Sequence, residues 1–337
     1  MISITKYILF LFPLLITFLF KGSNQQQEYT IHGYAQGTDY SIKYFATDSL
    51  VTKSAVDSIL SVIDSSMSLY KPYSLINKFN ESNEGLDLDP HFAAVMRKSF
   101  MVYKATKGKF DVTVAPLVQA WGFGPKRIEK FPDSAKVKQL LECVGMNNLR
   151  LKGNHLTKNK PCISVDLNGI AQGYSVDVVA DHLIKKGITS FVVEIGGELR
   201  MKGPKPDGSA MRIGIEGPAL SANAEPVIRH VIGINNGAIT TAGNYRKYLQ
   251  KGGKKIAHLI DPTTGYPLDN ALISVTIYAK DAVTADGYDS PIMAMGVQEA
   301  LDFVAAKRGM EAYIIYHRKD GSVADTLTKG FKKMIIQ

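Results

Sequence analysis

The order in which strand-like and helix-like stretches follow one another constrains the fold of this chain most strongly. Two alternating runs, Tyr29–Tyr34 and Tyr40–Phe45, flank a turn at 36–38 and predict a strand pair. Apolar residues at helical spacing predict a helix over 51–67, and later patterns mix helices and strands without a regular strand–helix–strand repeat. This arrangement favours an α+β fold with a mixed, largely antiparallel sheet and packed helices over a doubly wound parallel sheet.

Further segments extend the mixed pattern. Helices are predicted at 91–106, 134–143, 175–186 and about 296–307, strands at 191–195, 211–215, 230–234 and 272–279, and a last hairpin around Asp320 and Gly321. Of the 337 residues, 45% are hydrophobic, which is enough for a buried core. Neither a Walker-type phosphate loop nor a GxGxxG fingerprint is present, which excludes those two nucleotide-binding motifs.

The charge balance bears on possible partners. The formal net charge is +9, but the basic residues are scattered apart from a small cluster of Lys251, Lys254 and Lys255. A nucleic-acid-binding surface needs a concentrated basic stripe, so nucleic acid is not an expected partner. The excess positive charge instead favours a solvated surface that tolerates anionic ligands.

The N-terminus carries a targeting signal. An apolar run, Tyr7–Phe20, follows Lys6; it is short for a membrane span and has the length of a signal-peptide core. No Ala-x-Ala cleavage site is obvious, so residues 1–22 are a signal peptide or an uncleaved membrane anchor. Either predicts export, to the periplasm or to the outer face of the inner membrane. Residues 23–28 are interpreted as a polar tether and 29–337 as one domain.

The chain contains two cysteines, Cys143 and Cys162. They can form one disulfide outside the cytoplasm or remain buried thiols. Because no CxxC spacing exists, metal ligation by cysteine is not expected.

Two glycine-containing stretches are candidates for ligand binding. In Val165–Tyr174, Gly169 and Gly173 permit close backbone approach, and the predicted helix after them offers free N–H groups to a phosphate. In Glu194–Glu198, a glycine pair at a strand end can make room for a flat ring or a phosphate. A strand-to-helix turn and a bulge or tight turn explain the two stretches equally well.

Two further stretches carry candidate chemical groups. His258 and Asp261 lie three residues apart before a turn, where they form either a general base with its carboxylate or a structural pair. Asp286 and Ser290 lie four residues apart and would share a helix face suited to magnesium. Alternatively, Thr284 caps that helix and Asp286 is simply an acidic residue of its first turn.

Taken together and in order, these stretches resemble the ApbE family, the FAD:protein FMN transferases, from about Thr30 to about Gly296. The additional segments that carry the resemblance are Gly37–Tyr40, Met67–Tyr70 through Ser74 to Asn80, Gly108–Pro116, Trp121–Pro125, Arg212–Pro218 and Thr241–Tyr245. The resemblance implies a single α+β catalytic domain that binds magnesium and takes FAD as substrate.

The resemblance also implies roles for individual residues. Asp286, Ser290 and the carbonyl of Gly169 correspond to the family's metal ligands. His258 corresponds to its characteristic histidine, which we interpret as the base, with Asp261 orienting it. Tyr70 corresponds to the aromatic residue against the isoalloxazine ring. The other positions carried over as flavin-binding are Thr38, Ser74, Asp111, Asp166, Gly196, Gly197, Thr241 and Gly243.

The sequence departs from the family pattern at four positions: Ser290 for Thr, Gly169 for Ala, Gln172 for Lys and Ala242 for Ser. Gln172 removes a positive charge that could have faced a phosphate. In addition, Pro291 is expected to push Ser290 out of α geometry and to crowd the carbonyl of Gly287. Asp289 is the substitute ligand in that case.

The activity that the resemblance implies is magnesium-dependent transfer of FMN from FAD to a threonine hydroxyl of a target flavoprotein, with release of AMP. The implied targets are subunits of membrane redox complexes. Two alternatives remain open: an FAD pyrophosphatase that releases FMN and AMP, and a non-catalytic FAD-binding protein.

Overall fold

The computed structural model describes residues 26–218, 227–244, 248–251 and 254–337. The strands in chain order are β1 Gln27–Ala35, β2 Thr38–Ala46, β3 Gly85–Asp87, β4 Leu149–Lys152, β5 His155–Lys158, β6 Ser190–Ile195, β7 Glu198–Lys202, β8 Met211–Gly217, β9 Val227–Ile234, β10 Asn236–Gly243, β11 Tyr248–Lys251, β12 Lys254–Ala257, β13 Leu272–Ala279, β14 Glu311–His317 and β15 Val323–Leu327. The helices are α1 Lys53–Met67, α2 Leu75–Glu81, α3 Pro90–Ala105, α4 Ala115–Ala120, α5 Ser134–Leu141, α6 Ala171–Lys185, α7 Ala282–Met293, α8 Val297–Ala305 and α9 Lys329–Met334.

One large sheet organises the described part of the chain. Its strand order is β1-β2-β6-β7-β10-β13-β14-β15, and each neighbouring pair is antiparallel. Three small sheets, β3-β5-β4, β8-β9 and β11-β12, lie outside it. The expected α+β class with a largely antiparallel sheet is therefore confirmed.

Short polar side chains cap the N-termini of five helices in the described part of the chain. They accept a hydrogen bond from an N–H of the first turn, which satisfies a donor that the helix itself cannot pair. The capping residues are Thr52 for α1, Ser74 for α2, Asp89 for α3, Asp133 for α5 and Asp281 for α7. Since Asp281 accepts the N–H of Thr284, Thr284 is not itself the cap.

Both faces of the large sheet are covered by apolar side chains. Strand β6 illustrates this: Phe191 and Val193 pack with Val179 and Leu183 of α6, whereas Val192 packs on the opposite face. Successive strand residues point to opposite faces, so a strand buried on both sides reads as a continuous apolar run. The β8-β9 pair covers the Val192 face, and α6 covers the other.

The elements predicted from apolar spacing are present within a few residues of their expected bounds. Several short or weakly patterned elements were not predicted. Among them, β10, Asn236–Gly243, is composed of Gly, Ala, Thr, Asn and Ile, and α2 and α4 are only 7 and 6 residues long. Strand β1 begins at Gln27, within the segment interpreted as a tether. The expected signal or anchor at 1–22 lies outside the described residues. Among those that are described, we find no helix with the length and apolarity to cross a bilayer.

Cys143 and Cys162 form a disulfide with a Cα–Cα distance of 5.6 Å. It connects the residues after α5 to the segment that leads into Val165. Of the two states expected for these cysteines, the disulfide is therefore the one present.

We expect the Cys143→Ser, Cys162→Ser double variant to lose stability. The two cysteines are 19 residues apart in sequence. Closing a loop of this size lowers the entropy of the unfolded chain and so raises the free energy of unfolding by about 3 kcal/mol. Urea unfolding of both proteins, with added thiol as a control that should affect only the wild type, measures this difference. Equal free energies of unfolding would contradict the expectation.

Candidate active site

Residues 165–174 lie at the centre of the candidate site and lead into α6. The side-chain amide of Asn80 holds both backbone groups of Val165: the Val165 N–H donates to Asn80 Oδ1 at 2.7 Å, and Asn80 Nδ2 donates to the Val165 carbonyl at 3.0 Å. The Asp166 N–H donates to the Val112 carbonyl at 2.7 Å. The segment is thus held at its start by two separate parts of the chain.

Tyr70 lies near the beginning of this segment. Burial raises the pKa of the Asp166 carboxyl, whose Oδ1 accepts the Asn168 N–H at 2.8 Å. Burial and then the nearby charge of Asp166 raise the pKa of Tyr70, yet its side chain remains 61% exposed. Asn77 Nδ2 donates to the carbonyls of the loop before it, at Ser68, Leu69 and Lys71. The loop therefore presents an exposed aromatic ring on a firmly held backbone.

The structure brings Thr38 and Gly196 together through Gln172. A Cβ added at Gly196 would lie 2.0 Å from Gln172 Nε2 and 2.8 Å from Thr38 Cγ2. Gln172 Nε2 donates to the Ile195 carbonyl at 2.8 Å and to Glu198 Oε2 at 2.5 Å. Gln172, which stands where the family pattern has Lys, thus connects the start of α6 to the β6–β7 turn by hydrogen bonds.

The glycine pair forms that turn. Gly196 has φ 63° and Gly197 has φ 108°, conformations that side chains other than glycine rarely adopt. The Gly197 N–H donates to Glu194 Oε1 at 3.0 Å. The tight-turn interpretation of these glycines is correct, and the same turn places Gly196 beside Thr38.

Asp286 contacts the other end of the segment. Its Oδ2 accepts the Gly173 N–H at 2.7 Å, which satisfies a free donor at the N-terminus of α6. A Cβ at Gly173 would lie 2.4 Å from the Ala282 carbonyl oxygen and 2.6 Å from Asp286 Cβ. Glycine is therefore required for α6 and α7 to approach this closely.

Two buried carboxylates lie side by side on α7. Burial raises the pKa of Asp286 to about 7, with a further contribution from the charge of Asp177. Burial and then the charge of Asp286 raise the pKa of Asp289 well above its usual range. Ser290 Oγ donates to Asp289 Oδ1 at 3.1 Å.

The chain remains helical through Ser290 and Pro291 to Met293, so the expected departure from α geometry is wrong. Pro291 cannot donate to the Gly287 carbonyl, but Pro291, Ile292 and Met293 are all buried, so packing of this end of α7 offsets the lost bond.

Thr240 places a buried hydroxyl next to this pair. Its side chain is fully buried on β10, and its hydroxyl faces Asp289 closely enough to act against the rise in the pKa of that carboxyl. Thr241, the predicted flavin-binding residue beside it, points to the opposite face of the sheet, where its hydroxyl bonds that of Thr276 at 2.9 Å. Gly243 ends the same strand.

Two other predicted flavin-binding residues make structural contacts. Ser74 is buried, and its hydroxyl accepts the Asn77 N–H at 3.5 Å. Asp111 Oδ1 accepts the Thr113 N–H and Oδ2 accepts the Met146 N–H, at 2.8 and 3.0 Å. Burial raises the pKa of the Asp111 carboxyl despite these bonds.

His258 and Asp261 belong to the part of the structure around Trp121. The imidazole of His258 packs edge-to-face on Phe123, with 6.3 Å between ring centroids. Asp261 Oδ1 accepts the Thr263 N–H at 2.8 Å, and Trp121 Nε1 donates to the Gly265 carbonyl at 2.8 Å. The loop that carries the predicted base is thus held by Trp121 from one side and by its own turn from the other.

The sequence of the chain was compared with models of known protein families. The model of the ApbE family matches residues 36–314. The chain belongs to the ApbE family.

Several members of the ApbE family are similar to it over most of its length. The FAD:protein FMN transferase of Haemophilus influenzae is 36% identical over 318 residues, which is 90% of this chain and 91% of the relative. That of Escherichia coli K12 is 31% identical, covering 84% and 82%. The structure of flavin transferase ApbE from Vibrio cholerae superposes with a TM-score of 0.82 at 33% identity, covering 92% of this chain and 99% of that one.

The residues predicted as metal ligands offer oxygen donors, the type that magnesium, a hard cation, prefers. Asp286 accepts the Gly173 N–H with Oδ2, and Asp289, Ser290 and the buried Thr240 hydroxyl add further oxygens. Within the described ranges no three His, Cys, Asp or Glu side chains converge as a metal site. A cation here would therefore also need hydroxyl, carbonyl or substrate phosphate oxygens. Gly169, whose carbonyl is the predicted ligand, lies in the turn before α6.

No sequence pattern indicated that Thr240 or Asp177 lies at the candidate site. Thr240 lies beside the recognised Thr241 but on the other face of β10, and that strand has no pattern from which a face could be assigned. Asp177 is buried within the apolar face of α6. The signal available in the sequence was an acidic residue inside the apolar stretch Val176–Ala180.

Proposed function

We propose that this protein transfers FMN from FAD to a threonine hydroxyl of a target flavoprotein, releasing AMP in a magnesium-dependent reaction. The observation that carries the proposal is the buried carboxylate pair Asp286 and Asp289, with Asp286 bonded to the N-terminus of α6. The segment 165–174, which leads into α6, has Asp166 near Tyr70 and Gln172 against Gly196, which also lies beside Thr38. Relatives that are 36% and 31% identical over most of the chain are named FAD:protein FMN transferases.

The reaction is a displacement at phosphorus. The hydroxyl oxygen of the target threonine attacks the FMN-side phosphorus of FAD, a new phosphoester bond forms, and the bond to the AMP phosphate breaks. The hydroxyl proton passes to His258, and AMP leaves with the electron pair of the broken bond. Such a displacement depends on positioning and on neutralising charge, since the protein forms no covalent bond itself.

The metal ligands that we propose are Asp286, Ser290 and the Gly169 carbonyl, with Asp289 and Thr240 as additional oxygen donors. When bound, magnesium neutralises phosphate charge and stabilises the leaving AMP phosphate. The positive end of the α6 dipole lies near the same place, which favours the negative charge of a phosphate there.

Tyr70 is proposed to stack on the isoalloxazine ring. We expect Tyr70→Ala to raise the FAD dissociation constant, by up to about tenfold, because an aromatic partner contributes about 0.5–1.5 kcal/mol beyond area burial. Tyr70→Phe should change the constant little. Quenching of flavin fluorescence measures both constants.

Tyr73 provides a matched control for this prediction. It lies on the same loop and is 59% exposed, similar to Tyr70. Tyr73→Ala should bind FAD as the wild type does. An equal loss in Tyr73→Ala, or in Tyr70→Phe, would contradict stacking by the Tyr70 ring.

We further propose that the protein is exported and acts on flavoprotein subunits of membrane redox complexes. The apolar run Tyr7–Phe20 supports export, and the Cys143–Cys162 disulfide supports an oxidising compartment, where such bonds persist. Fractionation of cells that express the full chain, with the disulfide state assayed by thiol labelling, tests this part.

A direct assay tests the proposed activity. The protein is incubated with FAD, magnesium and a candidate flavoprotein subunit, and the denatured products are separated on a gel. We expect flavin fluorescence on the subunit band, and none when its acceptor threonine is replaced by valine. Fluorescence that persists on the valine variant would contradict transfer to that threonine.

A further inference from the structure

Asp177 is a buried carboxylate that connects three elements and that the proposed reaction does not use. It lies on α6, and its two oxygens accept the first two N–H groups of α7: Ala282 N donates to Oδ1 at 3.0 Å and Val283 N donates to Oδ2 at 2.8 Å. Arg200 of β7 donates to Oδ1 at 3.0 Å and also reaches Asp181 Oδ1 at 3.0 Å.

The contacts between α6 and α7 are reciprocal. Asp177 of α6 accepts N–H groups from the N-terminus of α7, and Asp286 of α7 accepts the Gly173 N–H from the N-terminus of α6. Each carboxylate therefore lies at the positive end of the other helix dipole. Bonds from backbone N–H groups to a carboxylate are short and charge-assisted, and burial strengthens them.

This arrangement controls where Asp286 lies. Asp286 follows Ala282 by four residues, which places it about one helical turn along α7. A movement of the first turn of α7 is therefore passed on to Asp286. Because Gly173 allows no spare room against Ala282, the two helices have one close arrangement, and Asp177 holds it.

We propose that Asp177, oriented by Arg200, is a positioning residue that holds α7 so that Asp286 can bind magnesium. This inference rests on the proposed function, specifically on magnesium binding at Asp286. Asp177 does not contact the reacting groups in this account; it acts through the backbone of α7. It is a requirement of the site beyond the metal ligands themselves.

The variant Asp177→Asn tests the proposal. An asparagine presents one acceptor and one NH₂ donor, so one of the two N–H groups of α7 loses its acceptor while the volume of the side chain is kept. Loss of a residue that orients a metal ligand typically weakens metal binding about 10–100-fold. Titration calorimetry with Mg²⁺ at 25 °C, with FAD present, measures this change, and thermal melting is followed in parallel.

Asp281→Ala is the matched control. Asp281 caps the same end of α7, accepting the Thr284 N–H at 3.0 Å, but in the described contacts it does not join α7 to α6. Its loss should lower the melting temperature and leave the Mg²⁺ dissociation constant unchanged within about twofold. Arg200→Gln, which leaves the Asp177 carboxylate in place without its cation, should weaken Mg²⁺ binding by a smaller factor than Asp177→Asn.

The outcomes distinguish failure of the positioning role of Asp177 from failure of magnesium binding at Asp286. Weakened Mg²⁺ binding in Asp177→Asn but not in Asp281→Ala supports the proposal. A wild-type constant in Asp177→Asn, with binding lost in Asp286→Asn, overturns the role of Asp177 alone. A wild-type protein that binds no Mg²⁺ overturns the metal assignment and the positioning role together. If Asp177→Asn does not fold, an unchanged constant in Arg200→Gln overturns the proposal.

Discussion

Asp286→Asn should abolish flavin transfer and, at pH 8 without magnesium, make the protein more stable. The first effect follows because the amide is a poor magnesium ligand and the phosphate charge is no longer neutralised, so the rate should fall by more than about a hundredfold. The second follows because the variant removes a buried charge. An asparagine oxygen can still accept the Gly173 N–H, so the contact between α6 and α7 is kept.

The pH dependence of stability gives this prediction its sign. In the folded protein the pKa of Asp286 is raised from 3.8 to about 7, so the folded state holds this proton more tightly than the unfolded state does. The carboxyl therefore carries no penalty below pH 4, and the metal-free wild type loses stability as the pH rises from about 4 to 7. The full loss of stability is reached above pH 7.

Thermal melting at pH 5 and pH 8, with EDTA or with magnesium, measures these effects. Wild type and Asp286→Asn should melt at more similar temperatures at pH 5, whereas at pH 8 in EDTA the variant should melt higher. Magnesium should raise the wild-type melting temperature at pH 8 and leave the variant unchanged. Asp281→Asn, on the same helix but partly exposed, should show the wild-type pH dependence. Full transfer activity in Asp286→Asn would contradict the metal assignment.

His258→Asn should lower the rate of transfer about a hundredfold while FAD affinity stays nearly unchanged. The proton of the target threonine moves only in the chemical step, so loss of the base does not affect binding. Protonation of the imidazole removes the base, so the wild-type rate should fall at acidic pH. The variant should lack this fall.

A pH–rate profile with melting curves distinguishes a base from a structural histidine. If His258 only holds its loop against Phe123, loss of activity should follow loss of stability, and an asparagine variant should retain activity at low pH. His155→Asn is the control, since His155 is an exposed histidine that bonds Asp87 Oδ1 at 2.8 Å. A fully active, acid-tolerant His258→Asn protein would refute the base and leave Asp261 as the alternative acceptor.

The sequence predicted most of the regular elements because their apolar spacing is local. The strand pair β1-β2, the helices α1 and α3, and the strand β13 each carry their own pattern. Strand β10 does not: its small and polar residues give no alternation, although it lies in the middle of the large sheet. Its position depends on β7 and β13, which pair with it from both sides.

The candidate site shows the same limit. The motif resemblance predicts Asp286, Gly169 and Ser290 as metal ligands. The bonds from Asp177 to α7 and from Asp286 to α6 depend on how two helices pack, which no local pattern specifies. Pro291 illustrates the opposite error. A local rule predicted a disturbed helix, whereas the proline lies in the last turn of α7 and the helix continues to Met293.

The central claim, that FMN is transferred from FAD rather than released, is tested most directly by product stoichiometry. The protein is incubated with FAD, magnesium and a target subunit, after which AMP and free FMN are measured by chromatography and protein-bound flavin by mass spectrometry. The account predicts one AMP for each FMN bound to the target threonine, with little free FMN and no reaction in EDTA. AMP and free FMN in equal amounts, without flavin on the target, would contradict it and establish hydrolysis instead.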